Sequence, residues 1–80
     1  MVENNSMEKM MLKFITRYYP VSRHKIKDRF KRGILFDDGH IYQLSDKKEM
    51  DQLYHRLIGI LKLVFDCNEE MCKLVLSQVL

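Results

Sequence analysis

Glycine and proline are scarce in this sequence, with three of the first and one of the second among 80 residues. That scarcity excludes a flexible linker, a low-complexity tract and a repeat array. Gly33, Gly39 and Gly59 stand alone, so no glycine-rich loop is available to cradle a phosphate. Long apolar runs are missing as well. The longest, "LIGILKLVF", is broken by Lys62 and falls well short of the ~20 residues of a membrane helix. The N-terminus "MVENNSMEKMMLKF" has no basic start, apolar block or small-residue cleavage site, which predicts an intracellular protein of the cytoplasm or nucleus.

Groups that carry chemistry are equally few. Cys67 and Cys72 are the only cysteines. Their spacing is not C-x-x-C, and on a continuous helix side chains five apart diverge, so the expectation is two reduced thiols without a disulfide. His24, His40 and His55 fall on separate elements with no i, i+4 pair, which predicts no metal site. "FDDG" pairs two carboxylates, but an Asp-Gly turn accounts for Asp38, and Asp37 can pair with His40 across the strands. A Cys–His pair, which would meet in space and not in sequence, is the one nucleophilic arrangement left open. The chain is expected to be neither an enzyme nor a cofactor carrier.

The residues present describe a small folded domain. Apolar residues make up 46% and charged residues 31%, too apolar a mixture for a disordered tail. Met7, Met10, Met11, Phe14, Ile15 and Tyr18 recur at helical spacing, placing a first helix from Met7 to the stop at Pro20, with Asn5 and Glu8 as a loose capping box and residues 1–6 as a frayed N-terminus. The methionines read as core, with an adaptable partner surface as the alternative. "GILFDDGHIYQLS" reads as a β-hairpin whose Asp38-Gly39 supplies a two-residue type I′ turn. That loop would set Ile34 opposite Gln43, Leu35 opposite Tyr42 and Phe36 opposite Ile41, leaving apolar groups on both faces of the sheet. Asp46 and Glu49 open a long amphipathic helix over Lys47 to Phe65. Asp66 and Glu69 repeat the spacing before a final helix, residues 69–80, apolar on more than one face.

Acidic residues are nearly missing from one stretch. In "SRHKIKDRFKRG", residues 22–33, Asp28 alone opposes Arg23, Lys25, Lys27, Arg29, Lys31 and Arg32. From Arg17 to Arg32 the local charge is +6, while the other residues sum to −3. Two periods compete for this stretch. As a helix, favoured by a small margin, Ser22 caps, Ile26 and Phe30 share a face and Gly33 is the C-cap; as a strand, Lys25, Lys27, Arg29 and Lys31 point one way, and Ile26 and Phe30 the other. Either form gathers the charges on one solvent-facing surface and turns Ile26 and Phe30 inward. Tyr19 beside it is a candidate for base stacking, whereas Tyr18 continues the apolar face of the first helix.

The fold class is therefore α+β: an N-terminal amphipathic helix, a basic helix or strand, a β-hairpin, a long helix and a C-terminal helix, with residues 7–80 forming a single domain. Two functions are compatible with it. One is binding of an anionic partner, foremost a nucleic acid, DNA or RNA, through the six basic residues, with six phosphate contacts giving a salt slope near roughly −5 on duplex DNA; an acidic protein surface is the other anionic partner considered. The second is a protein-interaction module, including a homodimer, that uses Leu76, Val79 and Leu80 of the final helix together with the two-faced hairpin.

Overall fold

The computed structural model describes residues 2–80, with side chains from Ser6 onward. Three helices and three strands follow in the order α1 (Val2–Tyr18), β1 (Ser22–Ile26), β2 (Arg29–Leu35), β3 (Ile41–Gln43), α2 (Lys47–Phe65) and α3 (Glu69–Val79). The strands form an antiparallel sheet in the order β1-β2-β3. This is the α+β class expected from the sequence.

The helices follow their apolar spacing, with differences at the ends. Met11 and Ile15 of α1 are buried, whereas Met7, Met10 and Tyr18 are exposed, so the stripe read from Met7 to Tyr18 is core only in its middle. Residues 2–6, placed in a frayed segment by the sequence, continue α1, and Asn5 lies inside the helix and does not cap it; Met1 is outside the described residues. Helix α2 has the predicted bounds. Its cap Asp46 accepts from the N–H groups of Lys48 and Glu49, satisfying two donors that a helix start leaves open. Asp66 does not open α3. It ends α2 in a left-handed conformation, φ 51°, donating its N–H to the Lys62 carbonyl, and Asn68 caps α3 by accepting from Met71 N–H.

The sheet corrects three expectations. First, the basic stretch is strand, not the favoured helix: Ser22 to Ile26 pair with Gly33 to Arg29. A helix there would have only Ile26 and Phe30 to bury, too narrow a stripe for docking, while pairing on β2 satisfies the backbone without any burial. Second, the Asp-Gly loop has three residues, not two. Phe36 N–H donates to the His40 carbonyl and Gly39 N–H to the Phe36 carbonyl, with φ +86° at Gly39 and no positive φ at Asp38. This is a type I turn closed by a glycine bulge. Third, the extra loop residue moves the register by one, so that Ile34 pairs with Tyr42 and Leu35 with Ile41. A one-residue shift exchanges faces. Ile34, Phe36 and Tyr42 therefore all reach the core, while Leu35 and Ile41 pair on the other face, half-exposed and half-buried, so the sheet is covered on one side and not on both.

Gly39 tests the turn. A Cβ there meets nothing within 4 Å, so any cost of substitution comes from backbone conformation alone. Gly39→Val is expected to lower stability by ~1–3 kcal/mol. An unchanged denaturation midpoint would remove the bulged turn.

The core joins Met11 and Ile15 of α1, Ile34, Phe36 and Tyr42 of the sheet, Leu53, Leu57, Ile58 and Leu61 of α2, and Cys72, Val75 and Leu76 of α3. No residue from 22 to 32 belongs to it.

Candidate nucleic-acid interface

Strand β2 serves two partners at its two ends. Its first five residues, Arg29 to Gly33, pair with β1 and its last three, Gly33 to Leu35, with β3; Gly33 is in register on both sides, and the neighbouring Arg32 carbonyl also accepts from Leu44 N–H. Residues 22–32 thus form a two-stranded arm beyond the edge of β3. At ~3.4 Å per residue the five paired positions make a ribbon about 17 Å long. The molecule is accordingly elongated, 47 × 20 × 18 Å.

All six basic residues of the sequence reading lie on this arm and all are exposed: Arg23 and Lys25 on β1, Lys27 in the turn, Arg29, Lys31 and Arg32 on β2. They do not share one surface. The turn at Lys27-Asp28 reverses the chain, and the register then sets Arg23, Lys25, Phe30 and Arg32 on the face that continues from Ile34 and Tyr42, with His24, Ile26, Arg29 and Lys31 on the other. Lys27 holds φ 59°, a left-handed value uncommon for a residue with a side chain. The second face carries a shallow recess of about 330 Å³ lined by Ile26, Lys27, Asp28, Arg29, Lys31 and Gln43.

The pairing is electrostatically unfavourable by itself. Arg23 lies directly opposite Arg32. Like charges facing each other across strands destabilise a ladder. Among the described residues, none of the six basic side chains is in an ion pair; the carboxylates so engaged are Asp38, Glu49 and Glu69, elsewhere on the molecule.

Two aromatic assignments change. Phe30, expected inside, is 62% exposed in the middle of the arm, with the Arg23 guanidinium 5.5 Å from its ring centroid. Tyr19, the proposed stacking residue, is half-buried and stacks on Phe36 at 4.6 Å, whereas Tyr18 is the exposed one. Phe30 could have been found from the sequence: a two-residue turn centred on Lys27-Asp28 places it opposite Lys25, on a solvated ribbon.

The β2–β3 end is fastened to α2 by contacts that no sequence spacing announces. Asp38 accepts from His40 N–H at 3.0 Å and from Arg56 Nη1 at 3.1 Å, and Arg56 also donates to the Tyr42 hydroxyl at 2.7 Å while lying 4.2 Å from the Phe36 ring centroid. The His40 N–H and then the guanidinium hold the Asp38 carboxyl below the usual carboxylate range. His40 bonds Glu49 at 2.9 Å and not Asp37, as the shifted loop requires. This clamp steadies the base from which the arm projects.

The other predicted surface is partly core. Leu76 is 0% exposed, so its side chain is not available to a partner without unfolding α3. Val79 and Leu80 are half-buried and line, with Ile15, Tyr19, Val21 and Ile34, an apolar cleft of about 350 Å³.

Cys67 and Cys72 do not diverge. Because α2 ends at Phe65, Cys67 sits in the corner before α3 and its Sγ lies 3.4 Å from that of Cys72. Burial, followed by the contact with Cys67, pushes the Cys72 thiol up to about 11. Thiolate is the reactive form. Iodoacetamide at mildly alkaline pH is therefore expected to modify Cys67 and spare Cys72 in the folded protein, as read by peptide mass spectrometry; equal rates would show that the corner opens freely.

Among the described residues, the hydrogen-bond partners of Cys67 and Cys72 are the Leu61 and Ile58 carbonyls and each other, and include no histidine. Among the described residues, no three His, Cys, Asp or Glu side chains come together as metal ligands would. No described helix is long and apolar enough to cross a membrane. Compared with known protein families, curated proteins and solved structures, the chain matches none. The functional reading rests on the arm itself.

Proposed function

We propose that this is a non-enzymatic nucleic-acid-binding protein whose β1–β2 arm is the contact element, with Arg23, Lys25, Lys27, Arg29, Lys31 and Arg32 meeting phosphates. The observation that carries the reading is the set of six exposed cations, in no ion pair among the described residues and with Arg23 set opposite Arg32, along an arm that contributes nothing to the core. Arg23 opposite Arg32 costs ladder stability. A solvated surface gains nothing from that arrangement. A polyanion relieves it, and each cation that neutralises a phosphate releases a counterion. Charges on both faces of a narrow ribbon suit a backbone that wraps around it or a groove wide enough to admit two strands.

The test sets binding against stability. Arg32→Glu would create an opposite-charge pair with Arg23, which is expected to leave stability unchanged or raise it by ~0.2–1 kcal/mol while weakening binding more than Arg32→Ala does. Single alanine variants at Lys25, Lys27, Arg29 and Lys31 are expected to reduce the salt slope by about one unit each. Fluorescence anisotropy with DNA and RNA oligomers at several salt concentrations reads both effects. If the unaltered protein retains no oligomer at low salt, the reading is wrong and an acidic protein surface is the better partner.

The alternative, a protein-interaction or homodimer module, keeps in its support the cleft at Val79 and Leu80 and the exposed Leu74 of α3 and Leu35 of the hairpin. With Leu76, Val75 and Cys72 buried, α3 offers no broad apolar face.

A further inference from the structure

Phe30 is out of place for a structural residue. It is 62% exposed on an arm that packs against no hydrophobic core, and desolvating an aromatic ring is worth more than almost any other burial. We infer that Phe30 is a base-stacking platform and that the polyanion the arm takes is single-stranded, with an unpaired base lying on the Phe30 ring. This rests on the reading of the arm as the nucleic-acid contact and narrows its ligand.

Three features select an unpaired strand. The ring lies on the flat of the ribbon and not at its end, since the register places it opposite Lys25, one pair back from Ile26 and Arg29 and the Lys27-Asp28 turn. An apolar wedge that opens a duplex has to lead into the base step. Here the leading residues are a lysine and an aspartate, and Asp28 would meet phosphate first. A ring presented sideways can receive only a base that is already free. Secondly, the same face carries cations on each side of the ring: Arg23, whose guanidinium is 5.5 Å from the centroid, Lys25 directly across, and Arg32 two residues on. Phosphates flanking a stacked nucleotide would meet these three groups. Thirdly, an aromatic side chain has only two torsions to fix, so little freedom is lost when a free base stacks on it. Aromatic rings interleaved with cations along a groove or face are the general means of holding single strands without reading their sequence.

The test compares a short fluorescent oligodeoxythymidylate with a mixed-sequence duplex of the same length. Phe30→Ala is expected to weaken binding of the single strand by about 5- to 100-fold with no change in salt slope, because a stacked ring releases no counterion. Phe30→Tyr is expected to retain binding, and the duplex affinity should not move. Thermal denaturation of Phe30→Ala should match that of the unaltered protein, which separates loss of a contact from loss of the arm. An oligomer carrying 2-aminopurine should show quenched fluorescence on binding to the unaltered protein and not to Phe30→Ala. If Phe30→Ala binds the single strand as the unaltered protein does, stacking is excluded while the arm remains the contact. Equal weakening for single strand and duplex also overturns the inference, since the ring would then act through the shape of the arm. Binding of neither ligand by the unaltered protein removes the underlying reading, and this one with it.

Discussion

Leu76→Glu is expected to leave the chain unfolded at room temperature, and Leu76→Ala to cost ~2–5 kcal/mol. Leu76 is fully buried beside Val75 and Cys72 in a core shared by all three helices and the sheet. The glutamate would have to be buried without a partner or expel α3 from the core. A domain of this size has little reserve, since ~0.05–0.15 kcal/mol per residue gives roughly 4–12 kcal/mol in total. Urea denaturation followed by circular dichroism measures the loss. Leu74→Glu is the control: Leu74 is 49% exposed on the same helix and its replacement should hardly move the midpoint. A cooperative, near-native transition for Leu76→Glu would mean that α3 is not docked as described, and would return Leu76 to the list of outward contacts.

Gly33→Val should have the second largest effect, through overpacking. A Cβ at Gly33 would stand 2.8 Å from the Tyr42 carbonyl oxygen and 3.0 Å from Ile41 Cγ2. The first of these is backbone and cannot swing aside, so β2 and β3 must separate where the arm begins. The expected cost is ~1–3 kcal/mol, with Gly33→Ala nearer the lower end. The same variant should weaken oligomer binding although no charge is altered, because the arm would leave the core at a different angle. Equal stability of Gly33→Val and the unaltered protein would show that the strands are not so closely apposed.

The sequence announced those parts of the fold that depend on local spacing. Helix α2 was legible to its bounds, because its apolar stripe is long and Asp46 is a strong cap. The α2–α3 corner was not, since Asp66 and Asn68 are both capable caps and only the left-handed φ of Asp66 decides between them. In the sheet, a single loop residue separated the expected register from the observed one. An Asp-Gly pair is compatible with a two-residue loop and with a three-residue loop that begins at Asp37, and what selects the second is tertiary: it delivers Ile34, Phe36 and Tyr42 to one face. The basic stretch was ambiguous for a related reason. Its charges mark a solvated surface equally well on a helix or a strand, and the decision came from β2, whose free edge next to Arg29 to Gly33 offered pairing that a helix could not use. The exposure of the six basic residues was thus readable, and their expected gathering on one surface was not what the register gives. Phe30 was assigned to the core because apolar residues usually go there. The Arg56 clamp, joining positions 14 and 18 apart, has no sequence signature.

The single shared position at Gly33 also separates two kinds of constraint on the gene. Residues 22–32 supply no core side chain, so substitutions there are constrained by the two-residue turn and the strand pairing and not by packing. Met11 and Ile15 of α1 and the core residues from Ile34 onward are instead bound by packing. Only Gly33 answers to both demands. Sequence change can therefore accumulate in an eleven-residue cassette while the scaffold before and after it stays fixed, and diverged copies of this chain should differ most within residues 22–32.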